Sequence, residues 1–172
     1  MTRKEINKLH ELYKSSKIKK KGLSQVLRYF LFACYTSLRY SDIRELCFKH
    51  IINGESINQI MDKTGKLVNI PLSEKAKSLL GKHTVSNGKV FKVFTNQVTN
   101  RHLKDVIKLA EIQKEISFHC ARNTWASITL ELTGDIALVS NVLAHSSIKT
   151  TQIYAKVLEA KKREAMEKWD EI

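Results

Sequence analysis

The chain has 172 residues, enough for one domain built around one substantial core. Its 42% hydrophobic and 27% charged content is that of a folded globular chain and excludes a disordered tail or a fibrous repeat. With 30 Lys and Arg against 17 Asp and Glu, the formal net charge of +13 points to a polyanionic partner, nucleic acid ahead of an anionic membrane surface.

Across residues 2–15, Ile6, Leu9, Leu12 and Tyr13 recur at helical spacing, with Thr2 as the cap and Glu5 three residues on. The run 17–21 reads as a basic linker. Residues 24–36 are apolar almost all round (Val26, Leu27, Phe30, Leu31, Phe32, Ala33), the pattern of a central core helix. A polar break over 37–41 leads to a third helix over 42–47, capped by Ser41. The period then changes. Ile51 and Ile52 precede the turn signal Asn53-Gly54, residues 57–61 alternate, Lys63-Thr64-Gly65-Lys66 turns, and 67–71 alternate again. Ser73 caps a helix that ends at Gly81. A loop over 83–94 carries a short extended piece at 90–93. Helices follow over 96–113, 117–133 (stopped by Gly134) and 135–143, and 149–169 closes the chain as one or two more. The expected fold class is mainly α (α+β): one helical domain over 1–172, with an antiparallel sheet of about three strands inserted after the third helix. The longest apolar stretch, 29–35, is too short to cross a bilayer, so no membrane partner is expected. Cys34, Cys47 and Cys120 form no CxxC pair, which makes a reducing, cytoplasmic compartment the default.

Three segments carry chemistry. Arg39 stands just before a helix, where free N–H groups and the dipole already favour an anion. His119 and Arg122 are three apart and share a helix face, which also offers Trp125, Ile128 and Leu132 to the core. A histidine beside an arginine makes a poor metal site. It makes a good anion site, because a guanidinium grips two phosphate oxygens at once. His145 closes one helix and Tyr154 lies on the next. Taken singly, each has an ordinary reading: an arginine paired with Asp42, a polar helix face, a packed tyrosine.

Taken together, the order Arg39, His119-x-x-Arg122, His145, Tyr154, with Leu38-Arg39, Thr150-Thr151 and Ile153-Tyr154 around it, resembles the tyrosine recombinases, the phage-type integrases and site-specific DNA recombinases. The likeness runs from about Ser24 to Val157. It implies a sixth residue, a lysine on a β-hairpin turn, which matches Lys63 before Thr64, with Lys66 as the nearby alternative. This sequence departs from the common pattern at Asn123, where histidine is frequent, at Ala144, where glycine is frequent, and at Cys120-Ala121 and Trp125. None of these removes a group expected to touch phosphate.

The resemblance implies a DNA strand-transferase that cleaves and rejoins double-stranded DNA through a 3′-phosphotyrosine at Tyr154. It implies neither ATP nor a metal, and no cofactor. Arg39 and Arg122 grip the non-bridging oxygens and His145 donates a further hydrogen bond. His119 helps move the phenol proton, and Lys63 protonates the departing 5′ oxygen. The need for such groups is physical: a phenol of ordinary pKa is ionised in only about one molecule in a thousand at pH 7, equivalent to roughly 4 kcal/mol of barrier. Outside this set, Lys17, Lys19, Lys20, Lys21, Lys66, Arg101 and Lys104 are the candidates for touching DNA phosphates. The family usually carries another DNA-binding domain ahead of the catalytic one, which is expected to lie outside this chain. It works as a tetramer on DNA, whereas the isolated domain is expected to be monomeric. Residues 158–172 are expected to be a tail that packs on its own domain or on a neighbouring protomer. A type IB DNA topoisomerase uses similar groups, and a non-catalytic DNA-binding module is the remaining reading. The segment from His145 to Tyr154 favours the recombinase.

Overall fold

A computed structural model describes residues 1–15, 17–81 and 87–144, and beyond these Thr151, Tyr154, Glu159, Lys162, Met166, Glu167 and Trp169. The first helix, α1 (Arg3–Lys14), begins where expected. The Thr2 hydroxyl accepts from Glu5 N–H and the Glu5 carboxylate accepts from Thr2 N–H, so two otherwise orphaned donors are satisfied reciprocally. Its inner face buries Ile6, Leu9 and His10.

The central helix α2 (Lys21–Thr36) starts three residues earlier than the sequence suggests, so Lys21 belongs to its first turn and not to a linker. Val26, Leu27, Tyr29, Phe30, Leu31, Phe32 and Ala33 are all fully buried, because α1 and two later helices, α5 (Asn96–Leu109) and α6 (His119–Thr133), pack around it. Burying one such aromatic stabilises by about 2–3 kcal/mol relative to leaving it in water. Tyr29 keeps its polar end satisfied through a 2.7 Å hydrogen bond to Thr99 on α5.

Helix α3 (Tyr40–Glu45) is shifted two residues toward the N-terminus of its expected span, and Ser41 is not its cap. Arg39 occupies the cap position. Its N–H donates to the Asp42 carboxylate at 3.0 Å, so the start signal is an acid inside the first turn. Cys47 lies outside the helix and bridges Lys89. That bridge replaces the extended piece expected at 90–93.

A single 3₁₀ turn at Phe48–His50 leads into the sheet, β1 (Ile51–Ile52), β2 (Ser56–Ile60) and β3 (Leu67–Pro71), antiparallel in that order. The register sets Ile57 opposite Ile70 and Gln59 opposite Val68 on the buried face. Beyond it α4 (Glu74–Lys77), capped by the Ser73 hydroxyl on Ala76 N–H, is shorter than the expected run to Gly81.

Helix α5 (Asn96–Leu109) ends four residues before its expected limit, where Glu111 takes a left-handed φ of 54°. Helix α6 (His119–Thr133) starts two residues late, with Phe118 at its cap, and Gly134 ends it at φ 69° as expected. Its buried face is Ala121, Arg122, Thr124, Ala126 and Leu130, while Leu132 is exposed, contrary to expectation. Helix α7 (Ile136–Val142) is capped by Asp135. The closing helices expected over 149–169 lie largely outside the described residues.

Candidate active site

Four of the expected side chains meet in one cleft of about 480 Å³. Arg39 enters from the start of α3, Lys63 from the β2–β3 turn, and His119 and Arg122 from the first turn of α6, with Asn96 and Asn100 of α5 forming the opposite wall. An aromatic contact sets the two helix starts against each other. Tyr40 and Phe118, the residues after Arg39 and before His119, pack edge to face at 5.7 Å.

Beneath the cleft sits Asp42, with no exposed surface. One oxygen accepts from Arg39 N–H at 3.0 Å and lies 4.0 Å from Arg39 Nη1, and the other accepts from Asp62 N–H at 3.1 Å. Gln59 on β2 donates to the Asp42 carbonyl at 3.2 Å. One buried carboxylate therefore joins the helix carrying Arg39 to the hairpin carrying Lys63. Against this acid stand three fixed cations, Arg39, Lys63 and Arg122, so the pocket holds an excess of two positive charges before any ligand arrives.

Arg122 is only 4% exposed. Its Nη1 donates to the Ser37 carbonyl at 3.0 Å and its Nη2 to the Leu143 carbonyl. Ser37 ends α2 in the left-handed region at φ 61°, which turns that carbonyl toward the guanidinium. Two of the five guanidinium donors are spent on backbone, leaving three for an anion. Burial, and after it repulsion from Arg39, draws its pKa down to about 10, so it stays charged at neutral pH. His119 is pulled below the ordinary imidazole range by partial burial first, then by Arg122, Arg39 and Lys63. Such an imidazole is neutral at pH 7 and free to accept a proton.

Tyr154 lies against Ala126, Leu130, Val139 and Leu143, 8% exposed. Its hydroxyl donates to Asn123 Oδ1 at 2.9 Å. Burial raises its pKa, and the nearby Arg122 charge acts in the opposite sense. His145 lies outside the described residues. The chain leading to it ends at Ala144, held at φ 48°, a left-handed conformation that glycine adopts at no steric cost.

The remaining candidates lie elsewhere. Lys66 lines a separate groove with Ala137, Ser140 and Asn141, which leaves Lys63 as the hairpin lysine facing the cleft. Lys17 lines a groove between α1 and the end of α5, and Lys104 one beside the loop over 111–116. Lys19, Lys20, Lys21 and Arg101 are exposed and outside the cleft lining.

The sequence takes Asp42 only as a pair partner for Arg39 and Asn123 only as a departure from the common pattern, and it does not single out Asn100; the structure gives all three a place beside the site. Asn100 accepts from Phe118 N–H at 2.8 Å and donates to Asn96 Oδ1 at 3.0 Å, which fixes the start of α6 against α5. A poor helix former in mid-helix was the one available signal for it.

A sequence model of the Phage integrase family matches residues 1–161. Tyrosine recombinase XerC of Pseudomonas putida is 28% identical over 130 residues, which cover 69% of this chain and 44% of that protein. The chain thus spans less than half the length of the curated relatives it matches. Among solved structures, XerH site-specific recombinase bound to palindromic difH substrate, a post-cleavage complex, superposes with a TM-score of 0.75 at 19% identity, covering 99% of this chain and 53% of that one. The catalytic domain of bacteriophage HP1 integrase superposes with a TM-score of 0.70 at 20% identity, covering 97% and 92%. At these identities the likeness is one of fold.

Proposed function

The chain belongs to the phage integrase family, and on that premise we propose that it forms the catalytic domain of a site-specific DNA recombinase. In this reading it cuts and rejoins double-stranded DNA through Tyr154. The observation that carries the reading is the single cleft into which Arg39, Lys63, His119 and Arg122 project, with Tyr154 near enough to feel the Arg122 charge. The +13 net charge agrees with a DNA partner, and the relative bound to its difH substrate lends the same partner by analogy.

In the proposed reaction the Tyr154 oxygen attacks phosphorus in line with the departing 5′ oxygen. The phosphorus–O5′ bond breaks, and a 3′-phosphotyrosine and a free 5′ hydroxyl form. Arg39 and Arg122 hold the non-bridging oxygens, where charge grows in the transition state. The phenol proton passes toward the neutral His119, and the Lys63 ammonium supplies a proton to the leaving oxygen. His145 donates to the phosphate. The reverse sequence, with the 5′ hydroxyl of another strand attacking, reseals the backbone. Because the phosphodiester energy is kept in the tyrosyl link, no ATP is consumed. In the whole protein we take the partner to be duplex DNA and the assembly a tetramer built on it, with residues 158–172 serving contacts within or between protomers.

A duplex nicked close to the cleavage position tests the reading, because the short released strand diffuses away and traps the covalent product. The unaltered chain should give a denaturation-resistant protein–DNA adduct. Tyr154→Phe should give none while binding the duplex within about twofold of the unaltered chain, since one buried hydroxyl adds little to a phosphate-driven affinity. An adduct that persists in Tyr154→Phe, or none from the unaltered chain, refutes the assignment.

A further inference from the structure

We infer that Asn123 is a positioning residue that stores Tyr154 as a neutral phenol, and that breaking this hydrogen bond is part of activating the nucleophile. The inference rests on the reading of Tyr154 given above and extends it to a residue that the motif does not include.

Asn123 directly follows Arg122 on α6, and its Oδ1 lies 2.9 Å from the Tyr154 hydroxyl, 31 residues further along the chain. The phenol is the donor and the amide oxygen the acceptor. An amide oxygen accepts a hydrogen bond but has no useful basicity, so it holds the proton in place without removing it. Hydrogen bonding to the neutral form disfavours ionisation. The ring itself is packed by Ala126, Leu130, Val139 and Leu143, which withholds water from any phenolate that forms there.

The neighbouring position has the opposite preference. Arg122 is the cation that favours the ionised phenol, and it presents unused guanidinium donors to the cleft. Two adjacent residues of one helix therefore offer the tyrosine two environments. On Asn123 the phenol keeps its proton, and toward Arg122 and a bound phosphate it can lose it. The device keeps a reactive phenolate from forming before the scissile phosphate is in place. Asn123 stands where the family frequently has histidine, a side chain that can also take a proton. The choice of asparagine makes this contact a holding one.

The test uses tyrosine labelled with ¹³C at Cζ in the chain as it stands. The protein has five tyrosines, and Tyr154→Phe identifies the Tyr154 signal by its loss. Asn123→Leu keeps the approximate shape and removes the acceptor. Its Tyr154 titration midpoint should fall by about one pH unit, the size of one hydrogen bond to a neutral partner. Asn123→Asp keeps an acceptor and adds a like charge, so its midpoint should rise. The adduct rate on the nicked duplex should shift along the pH axis in the same two directions, with binding unchanged. A merely structural role would change stability without ordering the midpoints Leu below Asn below Asp. If the Leu midpoint equals or exceeds that of the unaltered chain, or if Asp lowers it, the inference is wrong. The titration is made on the free protein, so its outcome stands apart from cleavage. Adduct in Tyr154→Phe would overturn the nucleophile assignment and leave the titration result standing.

Discussion

Beneath the three cations of the cleft, the Asp42 carboxylate accepts two backbone N–H bonds that tie α3 to the β2–β3 hairpin. Asp42→Ala leaves those two donors without their acceptor and the Arg39 guanidinium without its neighbouring counter-charge. The expected cost is about 3 kcal/mol, the usual penalty for removing one partner of a buried charged pair, read as a lower midpoint in urea unfolding. Asp42→Asn, which keeps one acceptor oxygen, should lose less. At this scale the sequence named Arg39, Lys63, His119 and Arg122 as candidates through residue type and order, and the fold brings those four to one cleft. The sequence offered Asp42 only as a local pair for Arg39 and Asn123 only as a departure from the common pattern, and passed over Asn100; their distant partners Asp62, Tyr154 and Phe118 sit 20, 31 and 18 residues away. No local spacing encodes those meetings.

Helix α6 carries His119, Arg122 and Asn123, and its two ends are fixed by different means. Its start is held by the Asn100 amide, whereas its end is held by Gly134 at φ 69°, with Gly134 N–H donating to the Leu130 carbonyl at 2.8 Å. Nothing lies within 4 Å of a Cβ built there, so Gly134→Ala meets backbone strain and no clash. It should cost about 1 kcal/mol, measurable by urea unfolding, with the site geometry and DNA binding retained. Helix bodies were legible from their 3.6-residue period, and α2 was recognised as the core helix from its all-round apolar surface. The differences fall at the ends of α2, α3, α4, α5 and α6. The starts of α3 and α6 are set by bonds from Asp42 and Asn100, and Glu111 turns the chain out of α5. The antiparallel sheet was readable because its turns carry Asn53-Gly54 and Gly65, and all three take positive φ.

Across the whole molecule, positive charge couples stability to pH. His10, His50 and His119 are all held below the ordinary imidazole pKa. Burial is the first cause in each, reinforced by Lys14 and Lys75 at His10, by Lys49 and Lys89 at His50, and by Arg122, Arg39 and Lys63 at His119. The unfolded chain, with imidazoles near pKa 6.5, binds more protons than the folded one in the window just below that value. The stability these three groups contribute is therefore present above about pH 6.5 and lost as pH falls through and below it. The Tm should drop by a few degrees between pH 7 and pH 5, and His119→Gln should flatten part of that slope. A Tm that rises on acidification would contradict the sign. Net charge alone marks this chain as a partner for a polyanion, and the resemblance implies that the cations share one phosphate; the packing of Tyr40 on Phe118 and the Asp42 bond to Asp62 N–H are the contacts that bring α3, α6 and the hairpin together.

In the proposed reaction, the phosphate gathered by this cleft becomes bonded to the phenol of Tyr154. Mass spectrometry of the trapped adduct, after exhaustive digestion by nuclease and trypsin, reads this directly. Cleavage after Lys149 and Lys156 releases the peptide spanning residues 150–156, in which Tyr154 is the only tyrosine. That peptide should carry a residual 3′-nucleotide mass, fragmenting to Tyr154. A nucleotide on any other peptide, or trapped DNA that leaves every tyrosine unmodified, would contradict the proposal.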